Sequence, residues 1–275
     1  MHPITYKLQT EVDEYKQRGY DNSLIKNILK EHIQDIILSV IYNDKNLKDL
    51  IFYGGTCLRK IYNINRLSED LDFEALKPIN LEDVKKIFLE YFRSEKFENI
   101  SISTQKSTHI NRCTIKFEIL YDLGLSEHKN QNLHVKIEIN EKPLGSFNTE
   151  LTPYTKDIYS CVIKHYPLET LMASKMAACI SRVYKKGDSG VSIKGRDFYD
   201  LIWYMQKKVS PNEKVFKSFD ISKEEIFKEL DSIVKGIKTR DLLIDLEPLF
   251  ENNTFIVSWC NNFHEFYNKY RDFYR

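Results

Sequence analysis

The chain has 275 residues, a mass of 32.7 kDa, 42% hydrophobic residues and 29% charged residues. These values are typical of globular proteins and exclude an intrinsically disordered chain, a collagen or a coiled-coil rod. The 41 basic and 40 acidic residues give a formal net charge of +1. That balance neither requires nor excludes a nucleic-acid partner, because a local basic surface can exist within a neutral total.

The cysteines and the apolar segments bear on where the protein works. The five cysteines are odd in number and form no Cys-x-x-Cys pair, so we expect reduced thiols in a cytosolic protein. The N-terminal residues include no apolar signal segment, and the apolar run near residues 36–42 is far shorter than the ~20 residues of a membrane span. The sequence therefore predicts a cytoplasmic protein with no membrane association.

The first part of the chain mixes helical and strand patterns. Apolar residues at helical spacing follow Asp21 and Asn22, either of which suits a helix cap, and three later segments alternate apolar and polar residues as in a half-buried sheet. The predicted elements are a helix over 22–43, a strand over 50–53, a glycine turn at 54–56, a helix over 57–62, a strand at 70–73, a helix over 81–94, and strands over 99–104, 113–119 and 133–139.

The pattern changes after Pro167, where only helical spacing remains. The predicted helices cover 168–183, 196–207, 222–235, 241–250 and 258–270. We therefore predict an α+β fold, with an α/β domain over residues 1–163 and a helical domain over 164–275 that completes the active-site cleft.

Gly54-Gly55-Thr56 lies at a predicted strand-to-helix junction. Backbone N–H groups without a neighbouring Cβ can approach a phosphate closely, and a helix start favours negative charge. The Thr56 hydroxyl could donate to the same phosphate. A plain tight turn with a threonine cap is the alternative, since short glycine motifs are common.

Asp70 and Asp72 are two residues apart in a predicted strand, so both carboxylates face one side. Two such charges repel unless a divalent cation neutralises them, and paired cations are the usual arrangement for phosphoryl transfer. A third carboxylate from a neighbouring strand would complete the site, and we favour Glu138 over Glu118. The alternatives are a solvated strand edge for the pair and an exposed cross-strand partner of a lysine for Glu138.

Lys175 falls inside an apolar helical stripe, which is costly for a lysine unless it is paired or faces a polar site. Either it binds a triphosphate or it reaches solvent at the helix edge. Asp197 opens the next helix, where it could cap the first turn or pair with Lys175 or Arg182. We expect Asp200 to give structural support, and the basic, glycine-rich segment 184–196 to form a lid, a nucleic-acid contact or a solvated loop.

The motif Gly-Gly-Thr, thirteen residues, then Asp-x-Asp-Phe, with Arg66-x-Ser68 just ahead, resembles the AbiEii/AbiGii nucleotidyltransferase toxins of the polymerase-β-like superfamily, to which MenT-type toxins are related. The resemblance covers about residues 50–205 and implies a nucleotidyltransferase-like mixed sheet. It assigns metal binding to Asp70 and Asp72 and phosphate binding to Gly55 and Thr56, and it places functional residues at Lys175 and Asp197. Arg66 and Ser68 belong to the same site by this analogy. With Gly54 and Arg182 they complete the predicted nucleotide-binding set.

The resemblance implies Mg²⁺-dependent transfer of NMP from an NTP. We expect a toxin of a toxin–antitoxin or abortive-infection system, with a macromolecular hydroxyl such as a tRNA 3′ end as acceptor and a cognate antitoxin protein as partner. Three alternatives stay open: an AMP-transferring toxin that modifies proteins, a module that binds nucleotide or nucleic acid without turnover, and a metal-dependent nuclease.

Overall fold

A seven-stranded mixed sheet is the main feature of the computed structural model, which describes residues 3–97, 99–143, 145, 147–181 and 193–274. The strand order is β3-β4-β5-β2-β1-β7-β6. The β2–β5 and β1–β7 pairs are parallel and the other pairs are antiparallel. The strands are β1 Ile51–Tyr53, β2 Asp70–Glu74, β3 Ile100–Lys106, β4 Ile110–Phe117, β5 Leu133–Asn140, β6 Glu150–Lys156 and β7 Tyr159–His165.

Four helices accompany the sheet in the described part of the first compact unit, which comprises the chain up to Asn63, Leu67–Pro143 and Thr149–His165. They are α1 Pro3–Gln17, α2 Asn22–Asn43, α3 Gly54–Tyr62 and α4 Leu81–Ser94. Asp21 caps α2 by accepting hydrogen bonds from the N–H groups of Ser23 and Leu24. The predicted helices over 22–43 and 81–94 are confirmed.

The sheet has one apolar and one polar face, as the alternating sequence predicted. Tyr42 of α2 packs on Phe73 with ring centroids 6.4 Å apart, and Phe73 stacks on Phe52 at 5.1 Å. Val135 and Ile137 of β5 are fully buried, while the residues that alternate with them are polar. Because side chains of a strand alternate between faces, burial of Leu71 and Phe73 places Asp70 and Asp72 on the polar face.

The second compact unit comprises Ile64–Arg66, Leu144–Asn148 and the chain from Tyr166 onward. Its described helices are α5 Leu168–Ser181, α6 Gly195–Gln206, α7 Glu213–Lys217, α8 Lys223–Gly236, α9 Thr239–Leu246, α10 Asn253–Asn261 and α11 Phe263–Arg271. The predicted mixed sheet followed by a helix-rich half is thus confirmed. Within the residues that the structure describes, no helix combines the length and apolar character needed to cross a membrane.

The prediction of one helix over 258–270 is wrong, because the helix is interrupted at Asn262. This residue has φ −101° and ψ 11°, outside helical values, and its side-chain amide donates to the Ser258 carbonyl at 2.8 Å. Asparagine competes in this way for backbone groups and favours helix ends. The break separates α10 from α11.

Candidate functional site

The paired aspartates lie on the central strand of the sheet. β2 is hydrogen-bonded on both sides, and its register places Asp72 opposite Tyr53 of β1 and Glu138 of β5. The Asp70 side chain is about one-third exposed. The pair is therefore held on a strand whose register is fixed, with carboxylates that a ligand can reach.

The glycine segment lies directly against this pair. Gly54 has φ +79°, and a Cβ built on it would lie 2.3 Å from Oδ2 of Asp72 and 3.1 Å from its Cβ. Any side chain at position 54 would therefore collide with the Asp72 carboxylate. The proximity of the glycines to the acidic pair, which the sequence motif predicted, is present in the structure.

The helix after β1 starts earlier than predicted. α3 begins at Gly54 and not at Cys57, so the two glycines form its first turn and no separate turn precedes it. Tyr53 precedes this turn and provides no side-chain cap. The first N–H groups of a helix have no intrahelical partner and carry the positive end of the helix dipole. The start of α3 beside Asp72 thus offers backbone donors to an anion.

The Thr56 hydroxyl does not have the predicted role. Thr56 is fully buried, and its hydroxyl donates to the backbone carbonyl of Asp70. A hydroxyl has a single O–H donor, which this bond uses. Thr56 therefore connects the first turn of α3 to β2, and the backbone of the glycine segment remains the candidate for phosphate binding.

Glu138 lies opposite Asp72 in the sheet register. Its carboxylate forms an ion pair with Arg112, a residue that no sequence motif indicated. Arg112 of β4 contacts Oε1 of Glu138 through Nε at 2.8 Å and through Nη2 at 2.6 Å. The rival Glu118 lies six residues beyond Arg112, about 20 Å along the strand direction. Register therefore favours Glu138 over Glu118 as a third carboxylate.

The acidic pair has the donor chemistry that Mg²⁺ requires. Carboxylate oxygens are hard ligands, and Mg²⁺ is often bound through one or two carboxylates together with substrate phosphates. No group of three or more potential metal-ligating side chains occurs within the described ranges. Asp70 and Asp72 fit such a two-carboxylate arrangement, and Lys136 Nζ lies 4.0 Å from Asp70 Oδ1.

A second cluster of predicted site residues lies in the second compact unit, called the helical unit below. The Arg66 guanidinium forms two parallel bonds to Asp200, with Nε to Oδ1 at 2.6 Å and Nη2 to Oδ2 at 2.7 Å. Lys175 Nζ lies 2.7 Å from Asp197 Oδ1 and 3.0 Å from Asp200 Oδ2. The expected contact between Lys175 and Asp197 is thus made. Asp200 forms ion pairs with both Arg66 and Lys175.

This geometry corrects the role expected for Arg66. Its side chain is almost fully buried, and a fork-to-fork pair occupies two of its donors, so it is not presented to a nucleotide. Burial opposes the charge of both cations, but the charges of Asp197 and Asp200 outweigh that effect and raise the pKa of Lys175. The pKa of Arg66 is raised in the same way, with Asp200 as the main favourable partner. Both groups are therefore charged at neutral pH.

Ser68 and Arg182 complete the predicted set. Ser68 is buried, and its backbone carbonyl accepts a hydrogen bond from the Gln34 side chain at 2.9 Å. This hydrogen bond connects the segment just before β2 to α2. Arg182 and the predicted basic segment up to residue 192 lie outside the described residues. Arg112 lies one residue before the strand predicted over 113–119, where it continues the series of polar positions at 114 and 116.

The chain is similar to one protein family and to solved structures. A family model described as nucleotidyl transferase AbiEii toxin, type IV toxin–antitoxin system, matches residues 36–273. JHP933 from Helicobacter pylori has a similar fold, with a TM-score of 0.51, 17% identity and coverage of 90% of this chain and 94% of that chain. A further H. pylori structure, provisionally described as a nucleotidyltransferase, has a TM-score of 0.47, 20% identity and coverage of 87% and 96%. No curated protein matches the sequence.

Proposed function

Since the chain belongs to the AbiEii family of nucleotidyl transferase toxins from type IV toxin–antitoxin systems, we propose that it transfers NMP from a Mg²⁺-bound NTP to a hydroxyl of an RNA. Family membership makes the protein a nucleotidyltransferase and a toxin. The metal, the acceptor and the residues in each role belong to the proposal, as does a cognate antitoxin that restrains the toxin in the cytoplasm.

The observation that carries the proposal is the close approach of Gly54 to the Asp72 carboxylate. It brings a backbone anion site and an acidic pair to one place on the polar face of the sheet. A triphosphate with its cation needs both kinds of group, since phosphate oxygens accept from N–H donors while the cation takes carboxylate oxygens.

We assign metal binding to Asp70 and Asp72, and we keep Glu138, whose carboxylate contacts Arg112, as the candidate for a third ligand. Mg²⁺ bound there would offset negative charge that develops on the α-phosphate and on the leaving pyrophosphate. The N–H groups at Gly54 and Gly55 would bind phosphate oxygens. Because Gly54 permits the close approach, it acts through geometry and not through a side chain.

In the helical unit, we assign triphosphate binding to Lys175, with Asp197 as its positioning residue. An ammonium has three N–H donors, and Asp197 and Asp200 take two of them. Within the described residues these two carboxylates are the partners of the ammonium, and we assign its third donor to a phosphate oxygen. The Lys175 side chain is 13% exposed.

A strip of basic side chains next to the acidic pair favours a nucleic acid over a protein as acceptor. We define this cationic strip as Lys116 and Lys136, two lysines whose positive charges help to lower the pKa of the neighbouring His134. Lys136 lies in register with Asp70, and Lys116 lies in register with His134, two residues before Lys136 in β5. The pKa of His134 is lowered by partial burial and then by the positive charges of Lys116, Lys30 and Lys136. A phosphodiester backbone would meet this positive field beside the reacting group.

The test is transfer of label from each of the four α-labelled NTPs to RNA, with and without Mg²⁺. Asp72→Asn keeps the shape of the side chain and removes its charge. Loss of a residue that only orients a metal ligand already costs about 10–100-fold at metal sites, so loss of a direct ligand is expected to lower transfer at least about a hundredfold. The matched control is Asp49→Asn, which removes an aspartate that lies on an exposed turn.

The sensitivity of the labelled product separates the acceptor classes. Label removed by ribonuclease supports the proposal, whereas label removed only by protease would assign the protein to the AMP-transferring class. Unchanged transfer in Asp72→Asn, or equal loss in Asp49→Asn, would refute the metal assignment. Shortening of the RNA in place of label transfer would indicate a nuclease.

A further inference from the structure

We propose that an aromatic pocket in the helical unit binds a nucleobase together with its attached phosphate. The pocket lies among α6, α10 and α11 and has a volume of about 500 Å³ including its open mouth. Tyr199 and Trp259 are buried and form its floor, while Trp203, Phe255 and Tyr270 stand partly exposed around it. None of these residues belongs to the transfer site assigned above.

The walls of the pocket suit a flat aromatic ring. The ring centroids of Tyr199 and Trp259 are 4.8 Å apart, and those of Trp259 and Phe266 are 6.3 Å apart. Phe255 at the mouth is 39% exposed. Every base has a π-face, so stacking on aromatic side chains is a general way to hold nucleotides and single strands.

Positive charge next to two rings of the pocket favours a nucleotide over an apolar peptide side chain. Lys207 Nζ lies 4.8 Å from the ring centroid of Trp203, and Lys269 Nζ lies 5.7 Å from that of Tyr270. Two ammonium groups therefore stand over rings that line the pocket. This combination of stacking surface and cation matches a base and its phosphate, whereas an uncharged peptide side chain has no anionic group to pair with the ammonium groups.

The pocket shares α6 with the Lys175 cluster. Tyr199 precedes Asp200 in sequence, and its hydroxyl donates to the carbonyl of Asn65 at 3.4 Å, next to Arg66. Gln206 at the pocket lies nine residues after Asp197, a rise of about 14 Å along the helix. The pocket and the cluster that we assign to the triphosphate are thus built on the same helix. The choice of a nucleotide as ligand rests on family membership and on this geometry. Binding to the pocket can be measured without the NMP-transfer reaction.

The experiment uses the intrinsic fluorescence of the protein. The chain has only two tryptophans, and both Trp203 and Trp259 line the pocket, so the signal is local. Full-length protein is titrated with each of the four ribonucleoside monophosphates, with the matching nucleosides, and with a single-stranded RNA oligonucleotide. We expect saturable quenching by at least one monophosphate or by the RNA. Lys207→Ala should weaken binding of the monophosphate several-fold and leave nucleoside binding unchanged.

The stacking residue is tested by Phe255→Ala, whose wild-type side chain is exposed enough that its removal leaves the fold intact. We expect about tenfold weaker binding, since stacking contributes substantially per base. Phe273→Ala is the matched control, because Phe273 is 53% exposed and has Lys208 Nζ 5.4 Å from its ring but lies outside the pocket. Its binding should remain within about twofold of wild type.

The outcomes are distinct. Tighter binding of RNA than of monophosphates assigns the base to the acceptor, and the reverse assigns it to the nucleotide substrate. No saturable quenching by any probe, or equal weakening in Phe255→Ala and Phe273→Ala, would overturn the pocket. Binding should persist in Asp72→Asn, so a failure of the proposed transfer reaction and a failure of the pocket are separately visible.

Discussion

At the scale of single residues, Gly54 determines where the Asp72 carboxylate can lie. The residue has a positive φ of +79°, and the carboxylate occupies the space that a Cβ would need. A side chain at position 54 would therefore be opposed both by the left-handed backbone conformation and by the clash with Asp72. Gly19 separates the two effects, because it has nearly the same φ of +78° with nothing within 4 Å of its Cβ position.

We predict that Gly54→Ala lowers transfer about a hundredfold or more, since displacement of a reacting group by 1 Å can have that effect. Gly19→Ala should lower the free energy of unfolding by about 1–2 kcal/mol, because alanine is strained in the left-handed conformation. It should leave transfer unchanged. Urea unfolding and label transfer measure the two quantities. Equal transfer in the two variants would mean that the contact with Asp72 has no functional role.

Asp200 is the residue on which the charge balance of the helical unit depends. It is fully buried and accepts from Arg66 and Lys175 together. We predict that Asp200→Ala lowers the free energy of unfolding by about 3–5 kcal/mol, because it leaves buried cations with one carboxylate between them. The control Glu14→Ala removes the partner of Arg18 in an exposed pair on α1 and should cost less than about 1 kcal/mol. Similar costs for both changes would contradict a buried role for Asp200.

At the scale of elements, β4 and β5 present charge beside the acidic strand. Loss of one phosphate contact lowers the slope of log binding constant against log salt by about 0.7 for a single strand and 0.9 for a duplex. We predict that Lys116→Ala weakens binding of deacylated tRNA and reduces this slope by about that amount. Lys156→Ala on the edge strand β6, at the other end of the sheet order, is the control and should change neither. An equal salt-dependence slope in both variants would show that the cationic strip does not contact the RNA.

Elements with a strong local pattern were predictable, and those set by tertiary context were not. The helices α2 and α4 follow from apolar spacing and caps, and Gly54 with Asp72 follows from a short motif. The strands β6 and β7 were not predicted, because apolar residues such as Leu151 and Val162 are exposed there and obscure the alternation. The pairing of Arg66 with Asp200 spans 134 residues, a distance over which sequence spacing has no geometric meaning.

At the scale of the whole molecule, the cysteines report on global unfolding. All five are buried thiols, and burial raises the pKa of Cys113 to about 12, of Cys260 to about 12 and of Cys161 to about 11. A thiol whose pKa is raised by folding stabilises the native state below its unfolded value near 9. That contribution is lost as pH rises through the folded value.

We predict that native protein reacts slowly with a thiol reagent at pH 8 and that all five cysteines react quickly in urea. The thiolate is the reactive form, so burial and the raised pKa act in the same direction. Unfolding free energy should also decline above pH 9, which urea titrations from pH 8 to 10 would measure. Rapid modification of several native thiols would show that the cores open without global unfolding.

The paired backbone on both sides of β2 restricts how relatives of this chain can diverge. One inserted or deleted residue inside Asp70–Glu74 would exchange the two faces of the strand, burying acidic groups where Leu71 and Phe73 now pack. A change of two residues would preserve parity but shift the carboxylates away from the glycines by about 7 Å. Length variation among homologues should therefore accumulate in the connections around this strand and be absent from the strand itself.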